Sequence, residues 1–151
     1  MILVHGTSVE LGGMAVLLRG PSGSGKSDLA LRLIDAGARL VADDLVALAA
    51  EGGRLVAALP ETAPANLVGC LEVRGLGILK VASVAAAPLA LVVDLVVSDA
   101  VARLPEPERV ELGGILLPCL KLAPFEAAAA AKVRLALAVW APAPVPESTP
   151  A

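Results

Sequence analysis

Short apolar runs separated by turn-forming glycines dominate the start of the chain. Residues 2–9 and 14–18 are β-like, and the Gly12-Gly13 pair between them predicts a β-hairpin. Residues 27–35 predict a helix, and Gly37 is placed to cap its C-terminal end. A strand pair therefore leads into a short glycine-containing loop and then into a helix.

The rest of the chain is mostly β-like and closes on a second helix. We expect strands at residues 38–42, 45–50, 54–59, 89–97 and 115–122, and a strand-like, glycine-containing stretch at residues 71–81. A loop or a short helical turn is predicted at residues 60–66, a surface loop at residues 98–111 and a helix at residues 124–140. The pattern predicts one α/β domain over residues 1–141, followed by a Pro-rich, disordered tail at residues 142–151.

Composition narrows the class of protein. Hydrophobic residues make up 57% of the chain, but the longest uncharged apolar run, residues 81–93, is too short to span a bilayer. The start of the chain has no basic segment typical of a signal peptide, so we expect no membrane association and a cytoplasmic location. A net charge of −3 and 1% aromatic residues argue against nucleic acid as a partner. Cys70 and Cys119 are too few for a disulfide framework.

The loop between the first hairpin and the first helix carries the strongest motif. Its sequence is Gly20-Pro21-Ser22-Gly23-Ser24-Gly25-Lys26-Ser27, which fits the P-loop pattern G-x-x-x-x-G-K-[ST] at every fixed position. The glycines let backbone N–H groups turn toward an anion, Lys26 can reach the outer phosphates, and the Ser27 hydroxyl can ligate Mg²⁺. The motif predicts binding of a nucleoside triphosphate such as ATP together with Mg²⁺.

Phosphoryl transfer also needs an acid that organises the metal and, for a kinase, a base for the acceptor hydroxyl. The Asp43-Asp44 pair follows a predicted strand directly after the helix, whereas Asp94 ends an apolar strand in the manner of a Walker B aspartate. The residue pattern alone leaves these two sites equal. His5 is the only histidine, and a lone histidine is more often structural than catalytic.

Two arginines are open to more than one interpretation. Glu72 and Arg74 flank Val73 on one face of a strand-like stretch, which is typical of an exposed salt bridge. Arg109 falls in a predicted loop bounded by prolines, where it is either a solvated charge or an arginine delivered to a phosphate.

Four segments together resemble the catalytic domain of the bacterial HPr kinase/phosphorylase family. They are Val4-His5-Gly6, the P-loop, Val41-Ala42-Asp43-Asp44-Leu45, and the stretch from Leu71 to Leu79, which is similar to the Glu-x-Arg-Gly-x-Gly signature of that family. The resemblance runs from about His5 to Leu122. It implies an α/β P-loop domain with a mixed sheet, similar also to phosphoenolpyruvate carboxykinase.

The resemblance also implies roles for particular residues. The catalytic residues would be His5, Lys26, Asp44 and Arg109, and Asp44 would accept the proton of a serine hydroxyl. The residues that bind Mg²⁺ would be Ser27, Asp43 and Glu72. Asp94 would then be an ordinary strand residue. The implied activity is ATP-dependent phosphorylation of a serine on HPr, the phosphocarrier of the sugar phosphotransferase system, by a homo-oligomer that in the family is a hexamer.

Three departures from the family pattern modify these expectations. Met1 lies four residues before His5, so the chain resembles a short form of the family that lacks the N-terminal domain. Lys80 stands where the signature carries Asn or Asp. The later Pro-Val-x-Pro-Gly-Arg segment has its nearest match at residues 120–125, without the glycine and arginine, which weakens the expectation of phosphorolytic dephosphorylation more than that of phosphorylation.

Two alternatives remain beside the HPr kinase hypothesis. One is a P-loop kinase of a small molecule, with Asp94 as its metal-organising acid. The other is a regulatory module that binds nucleotide and a partner without transferring phosphate.

Overall fold

The computed structural model describes residues 1–140. The disordered tail predicted at residues 142–151 and residue 141, the last of the predicted domain, lie outside the described residues. The strands are β1 (Ile2–His5), β2 (Thr7–Leu11), β3 (Met14–Arg19), β4 (Arg39–Ala42), β5 (Leu45–Glu51), β6 (Arg54–Ala58), β7 (Cys70–Val73), β8 (Gly77–Lys80), β9 (Ala86–Leu95), β10 (Glu108–Leu112) and β11 (Ile115–Leu122). The α-helices are α1 (Lys26–Asp35) and α2 (Ala129–Trp140), with short 3-10 turns at Ala65–Leu67 and Ser98–Ala100.

A mixed sheet organises the domain around β9. Its main path runs β1-β5-β6-β9-β3-β2-β4, while β11 pairs with β9 and β10 pairs with β11. The β9 contacts with β3 and with β11 are parallel, and the contact with β6 is antiparallel. The first residues of β9 pair with β6 and its last residues with β11, so the sheet curls around this ten-residue strand. The predicted α/β fold with a mixed sheet is confirmed.

The two faces of the central strands bury two separate apolar clusters. Leu18 and Leu91 pack against Leu29 of α1 and Val133 of α2. The neighbouring residues Leu17 and Val92 point to the other face and pack inside the curl of the sheet. Because side chains alternate along a strand, the nearly continuous apolar runs of β3 and β9 suit strands that are buried on both faces.

Gly6 divides the first predicted strand into two. A Cβ atom at Gly6 would lie 2.7 Å from the backbone oxygen of Leu18, so only glycine allows β2 to approach β3 at this point. The strand before Gly6, β1, pairs with β5, whereas β2 pairs with β3 and β4. The break places His5 at the edge of the turn that follows β4.

Several other boundaries differ from the sequence expectations. Residues 71–81 are a two-stranded hairpin, β7–β8, which forms a sheet of its own. The loop predicted at residues 98–111 is wrong at its end, because β10 begins at Glu108 and pairs with β11. The helix predicted from residue 124 begins only at Ala129. Neither described helix is long and apolar enough to cross a bilayer.

Candidate active site

The loop at residues 20–27 joins β3 to the first turn of α1. It closes through a hydrogen bond from the Ser24 backbone N–H to the Pro21 oxygen, 3.0 Å long. Gly23 and Gly25 have φ angles of 81° and 102°, which favour glycine. Gly20 is needed for another reason, since a Cβ there would lie 2.4 Å from Ser24 Oγ. Three glycines of the motif are therefore explained by the shape of the loop.

The loop presents an anion site at the start of α1. Gly25 is the N-cap, and within the described chain no side chain caps the helix by a hydrogen bond. Backbone N–H groups of the first turn have no partner inside the helix, so they can bind an anion at its positive end. The Lys26 ammonium donates to the backbone oxygens of Gly20 at 2.6 Å and Pro21 at 3.1 Å, which holds it across the loop.

The Asp43-Asp44 pair forms a tight turn between β4 and β5. Asp44 has a φ angle of 71°, the one positive φ among the described residues other than glycine. This conformation is costly for a side chain and recurs at functional sites. The Gly6 N–H donates to the backbone oxygen of Asp44 at 3.1 Å, and the Leu45 N–H donates to the backbone oxygen of Asp43 at 2.9 Å. The backbone of the turn is therefore fixed while the Asp44 side chain remains exposed.

The Asp43 carboxylate connects the turn between β4 and β5 to two strands, β2 and β7. Its Oδ1 accepts a hydrogen bond from the Thr7 hydroxyl of β2 at 2.8 Å, and its Oδ2 accepts one from the Glu72 N–H of β7 at 3.3 Å. Thr7 is fully buried, so the bond also satisfies a hydroxyl that would otherwise be costly to bury. The contact brings Glu72 beside the Asp43-Asp44 turn.

An open cleft of about 1110 Å³ collects most of the residues predicted from the sequence. They are His5, Gly20, Pro21, Ser22, Gly23, Gly25, Lys26, Ser27, Asp43, Asp44 and Glu72. Ser24 belongs to the same loop, and its buried Oγ has no hydrogen-bond partner among the described residues. The cleft thus combines an anion site with the carboxylates of Asp43 and Asp44 on the β4–β5 turn and of Glu72 on β7.

The cleft offers oxygen atoms of the kind that bind Mg²⁺. Ser27, Asp43 and Glu72 offer a hydroxyl and two carboxylates, which are oxygen ligands that Mg²⁺ prefers. Among residues 1–140 there is no group of three or more His, Cys, Asp and Glu side chains arranged as a metal cage. Such a cage is not expected for Mg²⁺, which usually binds one or two carboxylates together with phosphate oxygens and water.

Asp94 lies outside this cleft and has a different partner. It is on β9, opposite Arg19 of β3, and its two oxygens accept hydrogen bonds from Arg19 at 2.7 and 2.9 Å. The bond to Asp94 raises the pKa of the Arg19 guanidinium. The geometry therefore favours the Asp43-Asp44 turn over Asp94 as the acidic site, a choice that the residue pattern alone left open.

Arg109 is not brought to the cleft by this chain. It is an exposed residue of β10, whose Cα partner is Pro118 of β11, and it does not line the cleft. Its placement in a loop was wrong, because the prolines before it end where β10 begins. A catalytic role for Arg109 stays a prediction.

Two residues that sequence reasoning missed shape one end of the cleft. Arg32 of α1 donates hydrogen bonds to the backbone oxygens of Pro124 and Glu126, which fixes the segment after β11 beside the helix. This fixed segment places Phe125 in the cleft against Gly25. The available signal was the isolated Pro124-Phe125 pair at the end of a strand, in a chain with a single phenylalanine.

Comparison with protein families identifies a match over two thirds of the chain. The family described as the HPr Serine kinase C-terminal domain matches residues 1–101. An HPr kinase/phosphorylase of Clostridium beijerinckii is 46% identical over 78 residues, which are 52% of this chain and 24% of that protein. One from Exiguobacterium is 44% identical over 81 residues, which are 54% of this chain and 25% of that protein. The match thus spans about a quarter of the length of these relatives.

A solved structure shares the fold over nearly the whole chain. The HPr(Ser) kinase/phosphatase of Coxiella burnetii matches with a TM-score of 0.78 at 25% identity, covering 91% of this chain and 95% of that one. The sequence and structure matches together confirm the resemblance drawn from the four segments.

Proposed function

The chain belongs to the HPr serine kinase C-terminal domain family, and from this premise we propose that its cleft transfers the terminal phosphoryl group of ATP to a serine of HPr. The observation that carries the proposal is the cleft itself, which combines Lys26 and the start of α1 with Asp44 and Glu72. HPr is proposed as the partner because it stands in the names of the relatives.

The loop at residues 20–27 would bind the triphosphate. Backbone N–H groups at the start of α1 and the Lys26 ammonium complement the negative charge of the phosphates. Mg²⁺ would be held by Ser27 with Asp43 and Glu72 nearby, and it would supply further neutralisation of charge on the transferring group. Lys26 must then leave the two loop oxygens that it contacts in the structure and turn toward the phosphates.

Asp44 would act as the general base. Its exposed carboxylate would accept the proton of the serine hydroxyl as the serine oxygen forms a bond to the terminal phosphorus. The bond from that phosphorus to the bridging oxygen breaks at the same time, and ADP leaves. His5, which lines the cleft next to the turn, would assist at the acceptor. We expect phosphorolytic reversal to be slower than phosphorylation, because residues 120–125 lack the Gly-Arg pair of the matching family segment.

The proposal includes a cytoplasmic homo-oligomer. Leu135, Val139 and Trp140 leave 65%, 68% and 38% of their surface exposed on α2, so the helix carries apolar surface that a second copy could cover. A second copy could also supply Arg109, which its own chain leaves outside the cleft.

Mass spectrometry of HPr after incubation with this protein, ATP and Mg²⁺ tests the proposal. We expect the mass of one phosphoryl group on a serine with the unchanged protein and with Asp99→Asn, and none with Asp44→Asn. Asp99 is a matched control because it is an exposed aspartate that does not line the cleft. ATP binding without phosphoryl transfer would contradict the proposal and favour a regulatory module.

A small-molecule kinase organised by Asp94 is not favoured by any contact in the structure. Both oxygens of Asp94 are occupied by Arg19. The alternative would also need a metal at Asp94, which does not line the cleft that contains Lys26 and Ser27.

A further inference from the structure

Phe125 is the aromatic ring of the cleft. It is the only phenylalanine of a chain without tyrosine, and Trp140 does not line the cleft. Phe125 leaves 71% of its surface exposed. Single exposed apolar residues are ordinary in proteins, so exposure alone carries no conclusion. What distinguishes Phe125 is where the ring lies and how firmly its backbone is held.

The ring lies against the end of the loop at residues 20–27. A Cβ atom built on Gly25 would be 2.9 Å from Cζ of Phe125 and 3.2 Å from Cγ of Pro124. Gly25 therefore has no room for a side chain, and the ring is within van der Waals reach of the residue that caps α1. The remaining surface of the ring faces the cleft and solvent.

Contacts with α1 hold the backbone on both sides of the ring. Arg32 donates to the backbone oxygens of Pro124 and, at 3.3 Å, of Glu126. Asp28, in the first turn of α1, accepts a hydrogen bond from Arg32 at 2.9 Å. Since the same helix begins at the loop, the ring and the anion site are positioned by one rigid element.

We propose that Phe125 is the surface on which the base of a bound nucleotide stacks. A nucleotide whose phosphates occupy the loop must place its sugar and base in the adjoining cleft, and Phe125 offers the one aromatic face of the described residues that line this cleft. Stacking on an aromatic ring stabilises any base because every base has a flat π face. The ring therefore adds affinity without selecting among bases, and we expect ATP and GTP to bind similarly.

The inference rests on the proposed function only in requiring triphosphate binding at the loop. It is independent of HPr and of phosphoryl transfer. A different use of the ring, as a contact for an apolar side chain of a protein partner, predicts no effect of Phe125 on nucleotide affinity.

Calorimetric binding of two ligands tests the inference. Inorganic tripolyphosphate reports on the loop alone, whereas ATP reports on the loop and the ring, both measured with Mg²⁺. We expect Phe125→Ala to weaken ATP binding about 10-fold, the size typical of losing one stacked base, and to leave tripolyphosphate binding unchanged. Phe125→Trp should restore ATP binding, and Leu104→Ala should affect neither ligand, since Leu104 is 85% exposed and outside the cleft.

The other outcomes separate the two proposals. Equal weakening of ATP and tripolyphosphate by Phe125→Ala would overturn the inference and make the ring a support for the loop. No effect on either ligand would overturn it in favour of a partner contact. Failure of the unchanged protein to bind tripolyphosphate would overturn triphosphate binding at the loop and with it both proposals.

Discussion

Arg19 and Asp94 form a two-point ion pair between neighbouring parallel strands. Arg19 Nε lies 2.7 Å from Asp94 Oδ1, and Arg19 Nη2 lies 2.9 Å from Asp94 Oδ2. The side chains are 29% and 31% exposed, so the pair is partly shielded from water. Arg19 is the last residue of β3 and directly precedes Gly20. The pair therefore fixes the point from which the loop at residues 20–27 departs.

Removing one partner of this pair should destabilise the domain. Asp94→Ala leaves a partly buried guanidinium without its acceptor, and we expect the free energy of unfolding to fall by about 1–3 kcal/mol. Urea denaturation measures the loss. Glu108→Ala is the matched control, because its contact with Lys121 is 3.5 Å long and both side chains are 49% exposed. We expect it to cost less than about 1 kcal/mol, and equal losses in the two variants would contradict this account.

The positive φ angle of Asp44 predicts that function and stability oppose each other at this position. The left-handed backbone conformation costs a residue with a side chain on the order of 1 kcal/mol. Glycine adopts it without this cost, so we expect Asp44→Gly to cause no loss of stability. The same change removes the proposed base and should lower phosphoryl transfer by about 10²- to 10⁴-fold. Asp99→Gly, in an ordinary 3-10 turn, should do the reverse, lowering stability slightly while leaving transfer intact. Parallel thermal unfolding and kinase assays decide the matter.

Glu10 predicts a loss of stability in acid. Its buried carboxylate accepts hydrogen bonds from Arg39 Nε and from the Gly13 N–H, both 2.6 Å long. The bond to Arg39 is the larger cause that holds the pKa of Glu10 below its ordinary value of 4.5. The Glu10 carboxylate of the unfolded chain therefore binds a proton at higher pH than that of the folded chain. Its stabilisation of the fold is fully present above pH 4.5 and is lost as the pH falls through the lower pKa of the folded state.

The acid limb of a stability profile checks this sign. Urea unfolding between pH 7 and 3 should show a steeper decline for the unchanged protein than for Glu10→Gln, which has no carboxylate to protonate. Glu61→Gln, at an exposed position, should follow the unchanged protein. Parallel curves for all three would show that Glu10 does not contribute.

The sequence predicted the parts of the fold and site that depend on local signals. The Gly12-Gly13 turn, the α1 helix and the loop at residues 20–27 follow from residues that are adjacent along the chain. Asp94 illustrates the limit, because its role depends on Arg19, 75 positions away. The residue pattern left Asp94 equal to the Asp43-Asp44 turn, and only the pairing of β3 with β9 shows that its carboxylate is already occupied.

Phe125 and Arg109 illustrate the same limit in opposite directions. Phe125 carries no motif, and it reaches the cleft because Arg32 draws the segment after β11 onto α1. Arg109 stood in a suggestive proline-rich setting, yet the pairing of β10 with β11 carries it outside the cleft. Long-range strand pairing and side-chain contacts to backbone oxygens join residues far apart along the chain, so a local pattern such as Pro124-Phe125 marks a residue without showing what it contacts.

The two cysteines should differ strongly in reactivity, and one of them should report on the cleft. Burial is the main cause that raises the pKa of Cys119 to about 11, with its hydrogen bond to Asp94 adding to the effect. At pH 8 only about one Cys119 thiol in a thousand is then the reactive thiolate. Cys70 is half-buried and lines the cleft.

We expect a maleimide reagent to label Cys70 in the folded protein and Cys119 only after unfolding, and ATP with Mg²⁺ to slow the labelling of Cys70. Peptide mapping by mass spectrometry assigns the label, and Cys70→Ser provides the control that should remain unlabelled until it unfolds. Labelling of Cys119 at the same rate as Cys70 would show that the β9–β11 contact opens readily, and labelling of Cys70 unaffected by ATP would place the nucleotide away from β7.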